Sequence, residues 1–156
     1  MYKKWICLVL ATFLVFSLCG CRELSDTIAL IRDIRGDDSA SKEAIIRFVS
    51  ENEEYILQCI QQRQPETLEG YSIIHSVYEA GSYIEFFCGG AGFASQTDYT
   101  GFIYSKNGNM NAARPDIMPE DMTPDGDGYY WKEENGDDTY YIENITGRFY
   151  YYSEHY

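Results

Sequence analysis

The sequence predicts an α+β domain: one long helix packed on an antiparallel β-meander of about six strands. Three observations predict it. Apolar residues recur at steps of three and four from Lys42 to Arg63, which is the period of a helix. From Gly70 onward β-branched and aromatic residues dominate short runs bounded by turn formers, which is the composition of strands. The helical pattern comes first and the strand patterns follow, without alternation.

Each element has its own signal. Between Glu23 and Arg35, Leu24, Ile28, Ile31 and Ile34 fall at helical spacing and predict a short amphipathic stretch. Gly36 to Ser41 is a polar break that supplies capping hydroxyls and carboxylates for the main helix. In that helix Ile45, Phe48, Val49, Asn52, Ile56, Cys59 and Ile60 run down one face. Glu51, Glu53 and Glu54 lie mostly on the other, as a solvated face does. Gln64-Pro65 stops the helix. Tyr71 to Tyr78 and Ser82 to Cys88 read as a hairpin turning at Glu79-Ala80-Gly81, and Tyr99 to Ser105 reads as a third strand ended by Asn107-Gly108-Asn109. Met110 to Asp125 holds three prolines and no periodicity, so it reads as a long loop. Gly128 to Glu133, Thr139 to Ile145 and Arg148 to Tyr152 complete the strands.

The first residues carry an export signal. Lys3 and Lys4 precede Trp5 to Leu18, fourteen residues among which only Thr12 and Ser17 are polar. A spanning helix needs about 20 apolar residues, so a removable signal fits better than a permanent anchor. Leu18-Cys19-Gly20-Cys21 resembles the lipobox of bacterial lipoproteins. The resemblance implies cleavage after Gly20, a diacylglyceryl group on Cys21 and attachment to the extracytoplasmic face of the cell membrane. Three segments follow: residues 1–20 as signal peptide, 21–41 as lipidated cysteine and tether, and 42–156 as one α+β domain.

Composition narrows the partners. The mature chain of 136 residues keeps ten basic side chains against 25 acidic ones. Such a balance repels phosphates, which excludes nucleic acid and adsorption to an anionic membrane surface. The lipid must therefore do the holding. Of five cysteines, only Cys59 and Cys88 lie beyond the signal and the lipid site. They either pair as a disulfide, as extracytoplasmic cysteines do, or pack as small hydrophobes in apolar surroundings.

The 15 tyrosines are the most unusual feature. Side chains alternate across a strand, so Tyr129-Tyr130, Tyr140-Tyr141 and Tyr150-Tyr151-Tyr152 must place rings on both faces of a sheet. One helix covers one face. The expected ligand surface is a row on the uncovered face, formed by Tyr130, Tyr141 and Tyr151, suited to stacking on cell-wall carbohydrate or seating a protein partner. In the competing arrangement the long loop and the Leu24 to Ile34 stretch cover that face and the rings are core.

Other motifs weigh less. In Thr123 to Glu134, "TPDGDGYYWKEE", Asp125, Asp127, Gly128 and Glu134 stand at positions three, five, six and twelve of a calcium loop. Thr123 replaces the first carboxylate and a strand follows where a helix belongs, so a tight Asp-Gly turn is the expected structure. Phe87-Cys88-Gly89-Gly90-Ala91-Gly92 invites comparison with a phosphate cradle, but no Gly-Lys-Ser/Thr follows. A Cys88 nucleophile needs a base, and the chain offers only His75 and His155. Ser153-Glu154-His155 are adjacent residues at the chain's end and cannot form a triad. No zinc spacing and no cofactor motif is present.

The segments "FFCGGAG", "DYTGFIYSKNG", "GDGYYWKEENGDDTYYIENI" and "RFYYYSEHY" resemble, in that order, the C-terminal part of a group of small uncharacterised lipoproteins of low-GC Gram-positive bacteria. The resemblance covers about residues 85–156 and implies an envelope location and one domain; it brings no activity or ligand. The expectation is a lipid-anchored, non-catalytic binding module. The alternatives are an envelope enzyme using Cys88 or acidic residues, and a structural or immunity-type partner of another protein.

Overall fold

The computed structural model describes residues 39–93 and 96–156, so the signal peptide, Gly20, Cys21 and the Leu24 to Ile34 stretch lie outside the described residues. The main helix, α1 (Lys42–Gln61), starts where the Ser41 hydroxyl accepts from the Ala44 amide at 3.3 Å. That bond satisfies one of the donors every helix start leaves open. Ile45, Val49, Ile56 and Cys59 form its buried stripe. The helix ends with Arg63 in a left-handed conformation (φ 57°), the Arg63 amide donating to Ile60 and the Gln64 amide to Cys59. These paired bonds satisfy the last carbonyls. Pro65 then opens a short 3-10 helix (Pro65–Gly70) that buries Leu68.

Seven strands follow: β1 (Ser76–Glu79), β2 (Tyr83–Phe93), β3 (Gln96–Ser105), β4 (Thr123–Asp125), β5 (Gly128–Lys132), β6 (Thr139–Thr146) and β7 (Phe149–His155). They form one antiparallel sheet in the order β1-β2-β3-β7-β6-β5-β4. The α+β class thus stands, with corrections to count and topology. The strand that sequence patterning missed is β4, three residues long with Pro124 at its middle, a length and composition tolerated only at a sheet edge. A single meander is replaced by two, β1–β3 and β4–β7, joined where β3 pairs with β7. The segment between β3 and β4 must therefore travel from the middle of the sheet to its far edge, across one face.

Several strands also differ in extent, β3 among them, which begins at Gln96 and not at Tyr99. Tyr71 to His75 is a turn, with the Ile74 amide donating to Tyr71, so β1 begins only at Ser76. The glycines after Cys88 do not end β2: a bulge between Phe87 and Gly90 absorbs the irregularity and the strand runs on to Phe93. At the other end β7 reaches His155, and the Tyr156 and Thr97 backbones exchange hydrogen bonds, so the last residues are sheet and not a fraying tail.

Strand alternation sorts the core into two layers. Ile84, Phe86, Cys88, Phe102, Phe149 and Tyr151 face α1, with the Phe86 and Phe102 rings stacked at 4.5 Å. Ile103, Tyr140, Ile142 and Tyr152 face the other way and are covered by Ile117 and Met122 from the crossing segment. These residues belong to one compact unit, Asp37–Tyr156. Among the described residues no helix is long and apolar enough to cross a membrane.

Candidate functional site

Among the described residues the crossing segment leaves part of the second face open. On β2 the odd phase, Tyr83, Glu85 and Phe87, points away from α1 because Ile84 and Phe86 point toward it. Register places Tyr78 of β1 opposite Glu85, and Ser76 opposite Phe87. Beyond the bulge, β3 adds Tyr99, whose ring lies 5.9 Å from that of Phe87. Ser76, Tyr78, Glu85, Phe87 and Tyr99 line a cleft of about 290 Å³. Tyr78 is 59% exposed and Tyr99 37% exposed.

Glu85 is the polar centre of the cleft. The Tyr152 hydroxyl donates to its Oε1 at 2.5 Å. Tyr152 reaches it from β7 by lying over Gly101, where a Cβ would stand 2.9 Å from the ring and 2.4 Å from the Phe86 carbonyl oxygen. Only glycine allows that approach. Burial pushes the Glu85 carboxyl above its ordinary range; the Tyr152 bond opposes the shift and the nearby charge of Glu154 adds to it. Burial and the charge of Glu85 likewise raise Tyr83. Among the described residues no lysine, arginine or histidine pairs with Glu85.

Its neighbour Glu154 is treated differently. Arg114, on the crossing segment, contacts Glu154 at 3.3 Å and grips Asp116 through two bonds of 3.1 and 2.9 Å. Its guanidinium lies 5.6 Å from the centre of the Tyr140 ring and 5.7 Å from that of Trp131. The Asp116 carboxyl is held below its ordinary range chiefly by the Arg114 bond. Arg114 is thus a clamp that fastens the segment to the sheet.

The tyrosine row expected from sequence is placed elsewhere. Tyr130, Tyr141 and Tyr151 do share one face, but it is the face that α1 packs on, and Tyr151 is only 5% exposed. Tyr141 is half-buried beneath Lys42, whose ammonium lies 4.7 Å from the ring centre and 3.1 Å from its hydroxyl. The opposite-phase rings Tyr140 and Tyr152 are buried under the crossing segment, which is the long-loop part of the cover in the competing arrangement; its other part, Leu24 to Ile34, lies outside the described residues. The residues missed by sequence reasoning are Tyr78, Glu85, Phe87 and Tyr99. A signal for them exists in Tyr83-Ile84-Glu85-Phe86-Phe87, where one phase is wholly apolar and the other sets a carboxylate between two rings.

Cys59 and Cys88 are separate buried thiols, so no disulfide joins them in this structure. Burial pushes Cys88 up to about 12, and its Sγ lies 3.6 Å from the Phe86 carbonyl oxygen in the helix-side core. A thiol so placed stays protonated at neutral pH and is a poor nucleophile. His75 is on the surface, its ring edge against Phe87 at 5.9 Å. Asp125 and Asp127 flank Gly126, which takes a left-handed turn (φ 58°) between β4 and β5, while Glu134 lies past the far end of β5. Among the described residues no three His, Cys, Asp or Glu side chains gather as a metal site. Glu53 accepts from the Thr146 hydroxyl at 3.2 Å, and Glu51 and Glu54 are exposed.

Compared with known proteins, the chain matches no family model, no curated sequence and no solved structure.

Proposed function

We propose that this chain is an exported lipoprotein, held at the extracytoplasmic face of the cell membrane through diacylglyceryl-Cys21, that acts as a non-catalytic binding module. The anchor rests on the sequence: the charged start, the short apolar run and the lipobox ending at Cys21. Two acyl chains are what stable anchoring takes. The observation that carries the binding role is the cleft, in which exposed Tyr78 and Tyr99 and half-buried Phe87 surround the carboxyl of Glu85. Concave sites lined by rings with a few convergent polar groups are where ligands bind. The ligand surface is therefore moved from Tyr130, Tyr141 and Tyr151 to this cleft, and its partner is sought among envelope components, cell-wall material or a protein.

The test uses the full chain in mild detergent, sedimented with isolated cell envelopes, beside a Tyr78→Ala/Tyr99→Ala variant. Binding that the double variant loses while keeping its thermal transition supports the cleft as the site. Equal binding by both places the ligand elsewhere. For the anchor, labelled palmitate is expected in the wild type and absent from Cys21→Ser.

A further inference from the structure

The cleft's chemistry says which ligand it suits. Resting on the reading of the cleft as the binding site, we infer that it holds a small organic cation of the quaternary ammonium type, with no anionic group of its own. Every group that lines it is an aromatic ring, a hydroxyl or a carboxylate. Ring faces are electrically negative and attract cations held over them. The carboxylate supplies a full opposite charge within the same wall. Tyr152 bonds one oxygen of Glu85, and among the described residues nothing cationic answers the charge. A desolvated carboxylate without a counter-charge is costly to hold, and a bound cation relieves that cost. The raised pKa of Glu85, caused first by burial, agrees with such an unanswered charge.

Size and surroundings narrow the choice further. At about 290 Å³ the cleft lies at the small end of ligand sites and suits a single head group. A primary amine would need several acceptors for its three N–H bonds. A methylated nitrogen needs ring faces, and three rings flank Glu85: Tyr78 opposite it on β1, Phe87 two residues along β2, and Tyr99 against Phe87. Glu154 lies near enough to add its charge to that of Glu85. A ligand carrying its own carboxylate or phosphate meets repulsion there, as it does from a chain with 25 acidic against 12 basic residues.

The experiment is calorimetric titration of the full chain in nonionic detergent with choline, with its neutral isostere 3,3-dimethyl-1-butanol, with glycine betaine and with an N-acetylglucosamine oligosaccharide. Choline is expected to bind at least tenfold more tightly than the neutral isostere and than betaine. Glu85→Gln keeps an acceptor for Tyr152 and is expected to erase that preference; Tyr99→Ala is expected to weaken choline about tenfold. Both variants are checked by their thermal transitions, and Tyr129→Ala, outside the cleft, is expected to bind as wild type. Equal affinity for choline and the neutral isostere overturns the cation assignment. So does binding of the oligosaccharide alone, although loss of that binding in Tyr99→Ala would leave the cleft as the ligand site. Choline binding unaffected by either Glu85→Gln or Tyr99→Ala overturns both readings.

Discussion

The two faces of the sheet each take a carboxylate out of water, and they answer it in opposite ways. On the helix side Glu143, 8% exposed, lies against the Lys42 ammonium and accepts from the Tyr141 hydroxyl at 2.5 Å. Burial alone would raise its pKa, but the bonds from Lys42 and Tyr141 and the lysine's charge hold it below the ordinary range. On the far side Glu85 has a tyrosine hydroxyl and, among the described residues, no cation, and its pKa is raised. A paired carboxylate pins the start of α1 to β6 and has no capacity left for a ligand. One that no cation among the described residues answers, in the wall of a cleft, is where a ligand can complete the arrangement.

The contrast can be broken at four points, in falling order of effect. Phe102→Ala removes a ring with no exposure from the helix-side layer, where it stacks on Phe86, and is expected to cost about 3–5 kcal/mol. A urea denaturation midpoint measures it, and a loss below about 1 kcal/mol would show that this layer is not the principal core. Arg114→Ala leaves Glu154 without its cation while loosening the crossing segment; both side chains are mostly buried, at 16% and 14% exposed, so roughly 2 kcal/mol is expected. Faster proteolysis between Lys106 and Met122 would accompany that loss.

Lys42→Met strands Glu143. Because the lysine side chain is 36% exposed, solvent screening reduces the expected cost to about 1 kcal/mol. Glu85→Gln, by contrast, removes a charge that no cation among the described residues answers and is expected to fall within about 0.5 kcal/mol of neutral, or to stabilise. The opposite signs of these two substitutions are the sharpest form of the comparison.

Acid should then bring both effects toward zero. The pKa of Glu143 is depressed in the folded state, so its contribution is present above its unfolded pKa and is lost as pH falls through the folded one. Glu85 is raised, so its contribution is fully present below the ordinary glutamate range and is lost as pH climbs through the folded value. The cost of Lys42→Met should therefore shrink on acidification, and any gain from Glu85→Gln should disappear in acid. Urea titrations at neutral pH and below the carboxylate range distinguish these cases. Parallel pH profiles for the two variants would mean that the faces do not differ as described.

Much of the scaffold was legible. The stripe Ile45, Val49, Ile56 and Cys59 was read from its period, and Ser41 from its place before that period begins. The strands around Ser82 to Cys88 and Thr139 to Ile145 were legible from alternation, though β2 outran its glycines because a bulge rescued them. The site was less legible. Tyr141 and Tyr151 stand out as repeated aromatics, yet they pack beneath α1, whereas Tyr78 and Tyr99 are single tyrosines in ordinary strands and form the open cleft. Repetition in a chain marks where a sheet is aromatic on both faces and carries no information on which face is open.

The amino-acid sequence by itself determined that a helix precedes an antiparallel sheet, that rings stand on both sides of that sheet, and that the chain is acidic. Tertiary structure alone decided which phase of each strand meets α1, that β3 and β7 are neighbours, and that the segment between β3 and β4 crosses the other face. The reason is that a period of two is unchanged when the faces are exchanged. Only the landing of the helix on one face breaks that symmetry, and only the strand order, which sends the connection after β3 across the other face to the far edge, leaves Glu85 and its rings outside that segment's cover.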